Sequence, residues 1–233
     1  MENGVRFRDG TVPFYEWFLQ DAGRTESSVL NVGAGPTPEP CGQLRGRVKR
    51  LVGIDPEPTV FDNADLDEAK LFDGVNIPYP SESFDSVFSD WTLEHVQRPL
   101  DLMREVHRVL EPGGSFWFRT ANLFHYSFLV SSVTPARLHN RIANFAQGVP
   151  TKGRRHWATY YRMNTANRVK RIIKAAGFEH CEIRHLEPEP AYLNFSPFFF
   201  LGGVAYERLV NGHARLEQLR AILCGKATKQ QRS

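Results

Sequence analysis

Residues 28–38, SVLNVGAGPTP, join a short apolar run to two glycines and a proline-rich exit. Such an apolar run is typical of a strand that is buried on both faces of a parallel sheet. Gly33 and Gly35 at its end allow the backbone to turn sharply and to approach a ligand more closely than a Cβ would permit. We therefore expect a ligand-binding loop at the carboxyl end of this strand.

A second apolar stretch, residues 50–54, ends in Asp55, about twenty residues after the glycines. A carboxylate at the tip of a strand can accept hydrogen bonds from both hydroxyls of a ribose that lies across the strand ends. A glycine loop followed at this distance by an acid predicts a cofactor that contains a nucleoside.

Three prolines follow the glycine loop, and two of them are Pro36 and Pro38. Proline lacks an amide donor and restricts the residue before it, so no long helix is expected to start here. A pyrophosphate is normally bound by the free amides of a helix N-terminus, and this loop offers few of them. A dinucleotide is therefore a poor fit, and Pro38 also stands where the dinucleotide fingerprint has its third glycine.

The composition suits one α/β domain with a sizeable core, because the 233 residues are 41% hydrophobic and 24% charged. The net charge of +3 is too small to indicate a nucleic-acid partner by itself. Cys41, Cys181 and Cys224 lie far apart without a CxxC spacing, so neither a disulfide framework nor a zinc site is expected. No apolar run reaches the roughly 18 residues of a membrane span, and we expect a cytoplasmic protein.

The middle of the chain alternates between strand and helix patterns. Residues 84–88 read as a buried strand, and residues 98–110 carry an apolar stripe at helical spacing. Residues 111–114, EPGG, end that helix, and residues 115–122 read as a further buried strand. This alternation agrees with an α/β domain.

Five motifs carry a resemblance to a known family: VLNVGAGP, LVGIDPEP, LFDGVNIPYP, FDSVFSDWTLEHV and REVHRVLEPGGSFWF. Over residues 29–122 the chain resembles class I S-adenosylmethionine-dependent methyltransferases of the small-molecule type, the group that includes those of quinone biosynthesis. The resemblance implies a Rossmann-like, mostly parallel seven-stranded sheet flanked by helices, with the cofactor at the carboxyl ends of the first strands. Two positions depart from the family pattern, since Asn31 replaces a carboxylate and Thr37 a small residue.

The resemblance also implies which residues hold S-adenosylmethionine, the methyl donor, whose product is S-adenosylhomocysteine. Gly33 and Gly35 would lie under its methionine and ribose, and Asp55 would hold the ribose hydroxyls. Asp73 would face the adenine amino group, unless it is only a turn carboxylate. The full implied set comprises Asn31, Gly33, Ala34, Gly35, Asp55, Pro56, Asp73, Gly74, Ser89 and Asp90.

Residues 121–163 are expected to form a helical insert that covers the site as a lid. The chain around it resembles, more loosely, methyltransferases of polysaccharide and secondary-metabolite pathways. This resemblance favours the hydroxyl of a sugar, a glycan precursor or a secondary metabolite as acceptor. A non-catalytic cofactor-binding or regulatory module and a nicotinamide-dependent oxidoreductase are the alternatives. The candidate substrate-binding residues are Trp91, Tyr126, Tyr160, Tyr161 and Arg162.

A hydroxyl acceptor needs a base for its departing proton, and histidine can accept a proton near neutral pH. His125 is the first candidate because it follows the fifth strand, and His156 and His95 are the others. No carboxylates are clustered with metal-ligand spacing, so no metal is expected. Methylation of RNA or DNA is disfavoured, because SDWT at residues 89–92 replaces the Asn/Asp-Pro-Pro-aromatic motif of amino-methylating enzymes.

Two further parts flank residues 28–187, the predicted methyltransferase domain. Residues 1–27 are expected to form an arm and a short helix. Residues 188–233 are expected to form an apolar helix and a disordered tail. The apolar residues 198–201 would pack on the body of the protein, contact a membrane surface or contact a second subunit.

Overall fold

A computed structural model describes residues 10–22, 26–36, 44–133, 157–188 and 196–232. Seven strands form one sheet: β1 (Ser28–Val32), β2 (Arg50–Asp55), β3 (Glu68–Leu71), β4 (Phe84–Asp90), β5 (Leu110–Ala121), β6 (His180–Leu186) and β7 (Ile222–Thr228). Their order in the sheet is β3-β2-β1-β4-β5-β7-β6. The first five strands pair in parallel, whereas β7 is antiparallel to both of its neighbours, β5 and β6.

The helices of the described residues are α1 (Thr11–Asp21), α2 (Pro99–Val109), α3 (Tyr126–Val133), α4 (Ala166–Ala175) and α5 (Pro197–Gly212), with short 3-10 turns at Pro58–Asp62, Leu93–His95 and Ala214–Leu219. Prolines occupy the first turns of α2 and α5, where a missing amide costs nothing. The side chain of Thr165 caps α4 by accepting a hydrogen bond from the amide of Arg168.

Helices cover both faces of the sheet. On one face, α2 and α4 pack against Leu30, Val52 and their neighbours in a single apolar cluster. On the other face, α1 packs its aromatic side chains against Val29, Leu51 and Trp117. Successive residues of β1 and β2 therefore belong to different cores, which is why these strands read as continuous apolar runs. The predicted Rossmann-like α/β sheet is confirmed.

The parallel strands place their carboxyl ends at one edge of the sheet. Val32 lies beside Ile54, so the glycine loop that follows β1 adjoins Asp55 at the end of β2. Strand β4 pairs with the other side of β1 and ends at Asp90 on the same edge. Three loops from three strands therefore meet where the sequence predicted a ligand.

The predicted lid falls only partly on described residues. Helix α3 lies within the insert, and residues 157–163 pack beside the turn at Leu93–His95 through backbone hydrogen bonds. Residues 134–156 lie outside the described residues, and so does the predicted arm at residues 1–9. The lid therefore stays a prediction.

The predicted disordered tail was expected from Gly225 onward, and this is wrong for residues 225–228, which belong to β7. This strand lies between β5 and β6, and its side chains from Leu223 to Ala227 are largely buried. Gly225 and Lys226 give the stretch a polar, flexible appearance in the sequence. The ladder of hydrogen bonds on both sides of the strand orders it nonetheless.

The predicted apolar helix of the C-terminal region is α5. Its first turns leave Phe198 and Leu201 exposed, at 78% and 67%. Within the described parts of the chain, no helix combines the length and the apolar character that crossing a bilayer requires. Contact of this helix with a membrane surface or a second subunit stays a prediction.

Gly225→Ala should destabilise the protein by about 1–3 kcal/mol, the usual range for overpacking a core. The reason is that a Cβ at Gly225 would overlap the fully buried ring of Phe118 on β5. Gly202→Ala on the exposed side of α5 is the matched control, since a Cβ there meets none of the atoms that the structure describes within 4 Å. It should stabilise the protein by about 0.5–1 kcal/mol. The test is the urea concentration at the midpoint of unfolding. Equal midpoints in the two variants would contradict the predicted overlap of the Cβ with Phe118.

Candidate functional site

A cavity of about 650 Å³ opens at the carboxyl ends of the parallel strands. This volume lies within the range of small-molecule sites, roughly 300–1,000 Å³. The loops after β1, β2, β3 and β4 line it, together with Leu102 of α2 and with Trp157, Ala158 and Tyr160. The cavity therefore occupies the place where open α/β sheets bind their ligands.

The loop after β1 depends on its glycines for two different reasons. Both residues have positive φ angles, +83° at Gly33 and +58° at Gly35, which side chains disfavour. A Cβ on Gly33 would also overlap the side chain of Thr92, whereas one on Gly35 would meet no atom of the described residues within 4 Å. Gly33 thus permits close packing inside the protein, and Gly35 keeps the backbone open on the side of the cavity.

Asn63, which the sequence analysis missed, holds this loop from behind. Its Nδ2 donates to the carbonyl oxygens of Gly35 at 3.1 Å and Ala34 at 3.4 Å. Ala34 itself is buried and is not among the described cavity-lining residues. Asn63 therefore stabilises the conformation of the glycine loop, and no motif in the sequence indicates this role.

Asp55 connects the glycine loop to the loop after β2. One carboxylate oxygen accepts from the amide of Gly35 at 3.1 Å, and the other accepts from the amide of Glu57 at 2.9 Å. The side chain lines the cavity although the residue is only 9% exposed. Burial raises the pKa of Asp55, against the two amide hydrogen bonds. Each oxygen has more than one acceptor site, so the carboxylate can still accept hydroxyl protons from a ligand.

Asp73 also lines the cavity, but its oxygens serve its own turn. They accept from the amide of Val75 at 2.8 Å and from the amide and side chain of Asn76 at 2.6 and 2.5 Å. The hydrogen bond from the Asn76 side chain is the largest cause of the lowered pKa of Asp73. Asp73 thus acts as a turn carboxylate in this structure, and its contact with the adenine of a cofactor stays a prediction.

Asp90 faces the cavity from the end of β4, and Arg119 of β5 neutralises it. The guanidinium donates to both carboxylate oxygens, at 2.6 and 2.8 Å, and both side chains are almost fully buried. Tyr15 of α1 donates its hydroxyl to the same carboxylate at 3.2 Å, and Arg119 also reaches the hydroxyl of Thr11 at 2.6 Å. The helix α1 is thereby tied to the strand ends that line the cavity.

The structure separates some of the predicted cofactor residues from the cavity. Ser89 is buried and donates its hydroxyl to the carbonyl of Val32 at 3.1 Å, so it joins β4 to β1. Asn31 is buried within β1. Neither belongs to the described cavity lining, whereas Pro56 and Gly74 do. The expectation that Ser89 lines a passage to the acceptor does not hold, because a side chain with its own acceptor inside the sheet is turned away from the cavity.

His125, the first candidate base, does not reach the cavity. Its side chain is 1% exposed, and its Nε2 lies 3.3 Å from a carboxylate oxygen of Glu187. Nδ1 lies 2.6 Å from the hydroxyl of Ser127, and the ring packs against Tyr126 and Tyr206. His125 therefore joins α3 to α5, and Tyr126 belongs to the same packed cluster. The prediction that His125 faces the site was wrong, because a position after a strand does not reveal the direction of the side chain.

His95 is the candidate base that the structure places on the cavity wall. Its Nδ1 lies 3.0 Å from the carbonyl oxygen of Ala158. A carbonyl oxygen only accepts, so Nδ1 carries the proton and Nε2 carries the lone pair. His156, the remaining candidate, lies outside the described residues.

Aromatic side chains form the wall beside His95. Trp91, Trp157 and Tyr160 line the cavity, and the guanidinium of Arg162 lies 5.6 Å from the centre of the Tyr160 ring. Tyr161 is largely buried and is not part of the described lining. Trp157 was not singled out in the sequence. In the described stretches of the chain, no three His, Cys, Asp or Glu side chains are grouped to hold a metal ion.

Arg119→Met should destabilise the protein by about 3–5 kcal/mol, because the variant leaves the carboxylate of Asp90 buried without its counter-ion. Arg45→Met is the matched control, since the exposed Arg45 pairs at the surface with Asp65 at 2.9 Å. Loss of such a pair costs about 0–1 kcal/mol. The free energies of unfolding of the two variants are compared in guanidinium chloride. A similarly small decrease in both would show that the Asp90–Arg119 pair stabilises the protein no more than a surface pair does.

Comparison with known proteins agrees with this geometry. Residues 30–118 match the methyltransferase domain family. A tRNA U34 carboxymethyltransferase of Shewanella sp. (strain ANA-3) is 31% identical over 104 residues, which are 40% of this chain and 31% of that protein. The chain thus spans about a third of the length of the curated relatives that it matches.

Solved structures share the fold over nearly the whole chain. A complex between the Haloferax volcanii Trm112 methyltransferase activator and a methyltransferase aligns with a TM-score of 0.59 and 18% identity, covering 99% of this chain and 93% of that one. An S-adenosylmethionine-dependent methyltransferase from Mesorhizobium loti aligns at 0.56 and 19%, covering 94% and 100%. The match over residues 30–118 and the shared fold support the class I methyltransferase part of the resemblance that the five motifs indicated, and the small-molecule acceptor stays a prediction.

Proposed function

We propose that this chain, which carries a methyltransferase domain in the class I fold, transfers a methyl group from S-adenosylmethionine to a hydroxyl of a small molecule. The observation that supports the proposal most directly is the junction of Gly35 and Asp55 at the cavity. An open backbone and a carboxylate meet there at the tips of adjacent parallel strands.

The residues present suit this cofactor. Gly35 leaves open space where a Cβ would stand, so the chain of a ligand can lie against the loop. Asp55 retains acceptor capacity for two ribose hydroxyls, and Pro56, Phe72 and Val75 provide apolar surface for a base. S-adenosylmethionine, when bound, supplies a methyl group that is already activated for displacement. Asn31 lies in the interior of the sheet, so its departure from the family pattern leaves these contacts intact.

We assign the general base to His95 in place of His125. With Nδ1 donating to Ala158, Nε2 is the atom that accepts the hydroxyl proton of the acceptor. Holding the acceptor in place would provide the larger part of the rate, and Nε2 of His95 would take up the proton that the hydroxyl loses. Trp91, Trp157 and Tyr160 would hold the acceptor beside that nitrogen.

The acceptor class rests on the shape and chemistry of this wall. Aromatic rings and one imidazole suit a planar or hydroxylated small molecule, such as a secondary metabolite or a glycan precursor. The name of the tRNA U34 carboxymethyltransferase relatives makes RNA the competing class. Incubating the protein with methyl-labelled S-adenosylmethionine and either a phenol and sugar panel or total tRNA separates the two. Label on a small-molecule hydroxyl supports the proposal, and label on tRNA alone contradicts it.

The two alternatives from the sequence give different results in the same experiment. A non-catalytic module would bind S-adenosylhomocysteine without labelling any acceptor. An oxidoreductase would bind a nicotinamide dinucleotide in preference to S-adenosylhomocysteine. Calorimetry with both ligands therefore accompanies the labelling.

Asp55→Asn should weaken S-adenosylhomocysteine binding about tenfold to a hundredfold, because hydrogen bonds to a charged acceptor are replaced by weaker neutral ones. The amide has nearly the same shape and retains an oxygen for the amide of Gly35. Asp62→Asn is the control, since Asp62 is exposed on the turn at Pro58–Asp62. Calorimetric affinities that are equal in the two variants would remove Asp55 from the cofactor site.

His95→Gln should lower turnover by about 10²–10⁴-fold, the usual cost of removing a general base. Its affinity for S-adenosylhomocysteine should stay unchanged, because His95 acts on the acceptor. His180→Gln, at an exposed position on β6, is the control. Near-full turnover in His95→Gln would show that positioning alone drives the transfer.

A further inference from the structure

Glu94 is a buried carboxylic acid directly behind the cavity wall, and the reaction proposed above does not use it. The residue is only 6% exposed and is not among the described residues that line the cavity. Burial is the largest cause of its raised pKa. A buried acid is costly unless it has partners, so its contacts indicate its role.

The backbone of Glu94 holds residues 157–162, which we call the docking segment. The carbonyl oxygen of Glu94 accepts hydrogen bonds from the amides of Tyr160 at 2.8 Å and Tyr161 at 3.2 Å. Tyr161 has a φ of +49°, a left-handed conformation that non-glycine residues adopt only when surrounding contacts impose it. The docking segment is therefore held in one conformation at Glu94.

The docking segment in turn holds the imidazole of His95. The carbonyl of Ala158 accepts the proton of Nδ1. Around this bond, the side chain of Gln97 donates to the hydroxyl of Tyr160, and Arg162 donates to the carbonyl of Gln97 at 2.5 Å. Which of the two ring nitrogens of His95 carries the proton therefore depends on where the docking segment lies.

The side chain of Glu94 connects the turn at Leu93–His95 to Thr120 on β5 and, through Thr120, to Asn164 just before α4. Asn164 donates from Nδ2 to the hydroxyl of Thr120 at 2.8 Å and to the carbonyl of Ala121 at 2.9 Å. An amide nitrogen only donates, so the hydroxyl of Thr120 accepts this bond and sends its own proton to Glu94, at 2.6 Å. The side chains of Asn164, Thr120 and Glu94 thus form one hydrogen-bonded chain.

We propose that Glu94 is a positioning residue for the base: acting through Thr120 and the docking segment, it keeps Nδ1 of His95 protonated and Nε2 available to accept a proton. The use of Nε2 rests on the proposed function. The position of the proton on the ring does not, because it can be measured without cofactor or acceptor. Asp90, the other carboxylate that influences Glu94, is neutralised by Arg119.

The experiment compares Thr120→Val with Thr120→Ser. Valine has nearly the shape of threonine but removes the hydroxyl that joins Asn164 to Glu94, whereas serine keeps the hydroxyl. Imidazole nitrogen chemical shifts of His95 report which ring nitrogen carries the proton. Thr228→Val is the control substitution, since Thr228 pairs with Ser115 at the far end of the same strand pair.

We expect Thr120→Val to lose the single Nδ1-protonated form and to lower turnover about tenfold to a hundredfold, the scale of a small misplacement of a catalytic group. Affinity for S-adenosylhomocysteine should not change. Thr120→Ser and Thr228→Val should both retain the wild-type nitrogen shifts. A wild-type tautomer in Thr120→Val, or equal damage in Thr120→Ser, would overturn the proposal.

Glu94→Leu provides a second variant in case Thr120→Val does not fold, because it also removes the link to Thr120 and should lose the single Nδ1-protonated form of His95. Glu94→Gln is its matched control: its amide oxygen can still accept from Thr120, so the His95 tautomer should stay as in Thr120→Ser. Loss of turnover with an intact tautomer would mean that Glu94 acts through its charge, which contradicts a positioning role. If no acceptor is ever methylated, the nitrogen shifts still decide whether Glu94 positions the ring.

Discussion

The hydrogen bond from the amide of Gly35 to the carboxylate of Asp55 joins the two loops on which the cavity depends. It links the ends of β1 and β2, which the parallel sheet already places side by side. Because the acceptor is a buried carboxylate, the bond is stronger than one between neutral groups. The same carboxylate accepts from Glu57, and Asn63 holds the glycine loop from behind. A ligand therefore meets a loop that is already in place, which reduces the entropy that binding would otherwise lose.

A second set of buried charges determines the other side of the cavity. The pair of Asp90 and Arg119 joins β4 to β5, and Tyr15 and Thr11 attach α1 to it. A pair of this kind pays for its desolvation only when the geometry is good and other donors complete the hydrogen bonding. Here two parallel guanidinium bonds and one phenol hydroxyl meet that requirement. The consequence is that the N-terminal helix and the cavity floor form one unit.

The acceptor side is built differently, from backbone hydrogen bonds between distant parts of the chain. The turn at Leu93–His95 and residues 157–162 are more than sixty positions apart in the chain, yet each supplies donors or acceptors to the other. Such contacts hold a side chain such as His95 more firmly than its own loop could. Glu94 belongs to this set of contacts through its backbone carbonyl, and its buried carboxyl is linked to Thr120 on β5.

The sequence by itself determined the buried strands β1, β2, β4 and β5, the glycine loop and the place of Asp55 at a strand end. These depend on local patterns: apolar runs, glycines where φ is positive, and an acid at the end of a strand. Only the tertiary structure decided which of several histidines faces the cavity, since His95 and His125 both follow strands and differ only in the direction of their side chains. It also decided that the polar stretch around Gly225 and Lys226 is a strand, because that order comes from β5 and β6 on either side. Asn63, Arg119 and Glu94 were missed for the same reason: their partners are remote in the chain, and the hydrogen bonds and ion pairs that give them their roles exist only after folding.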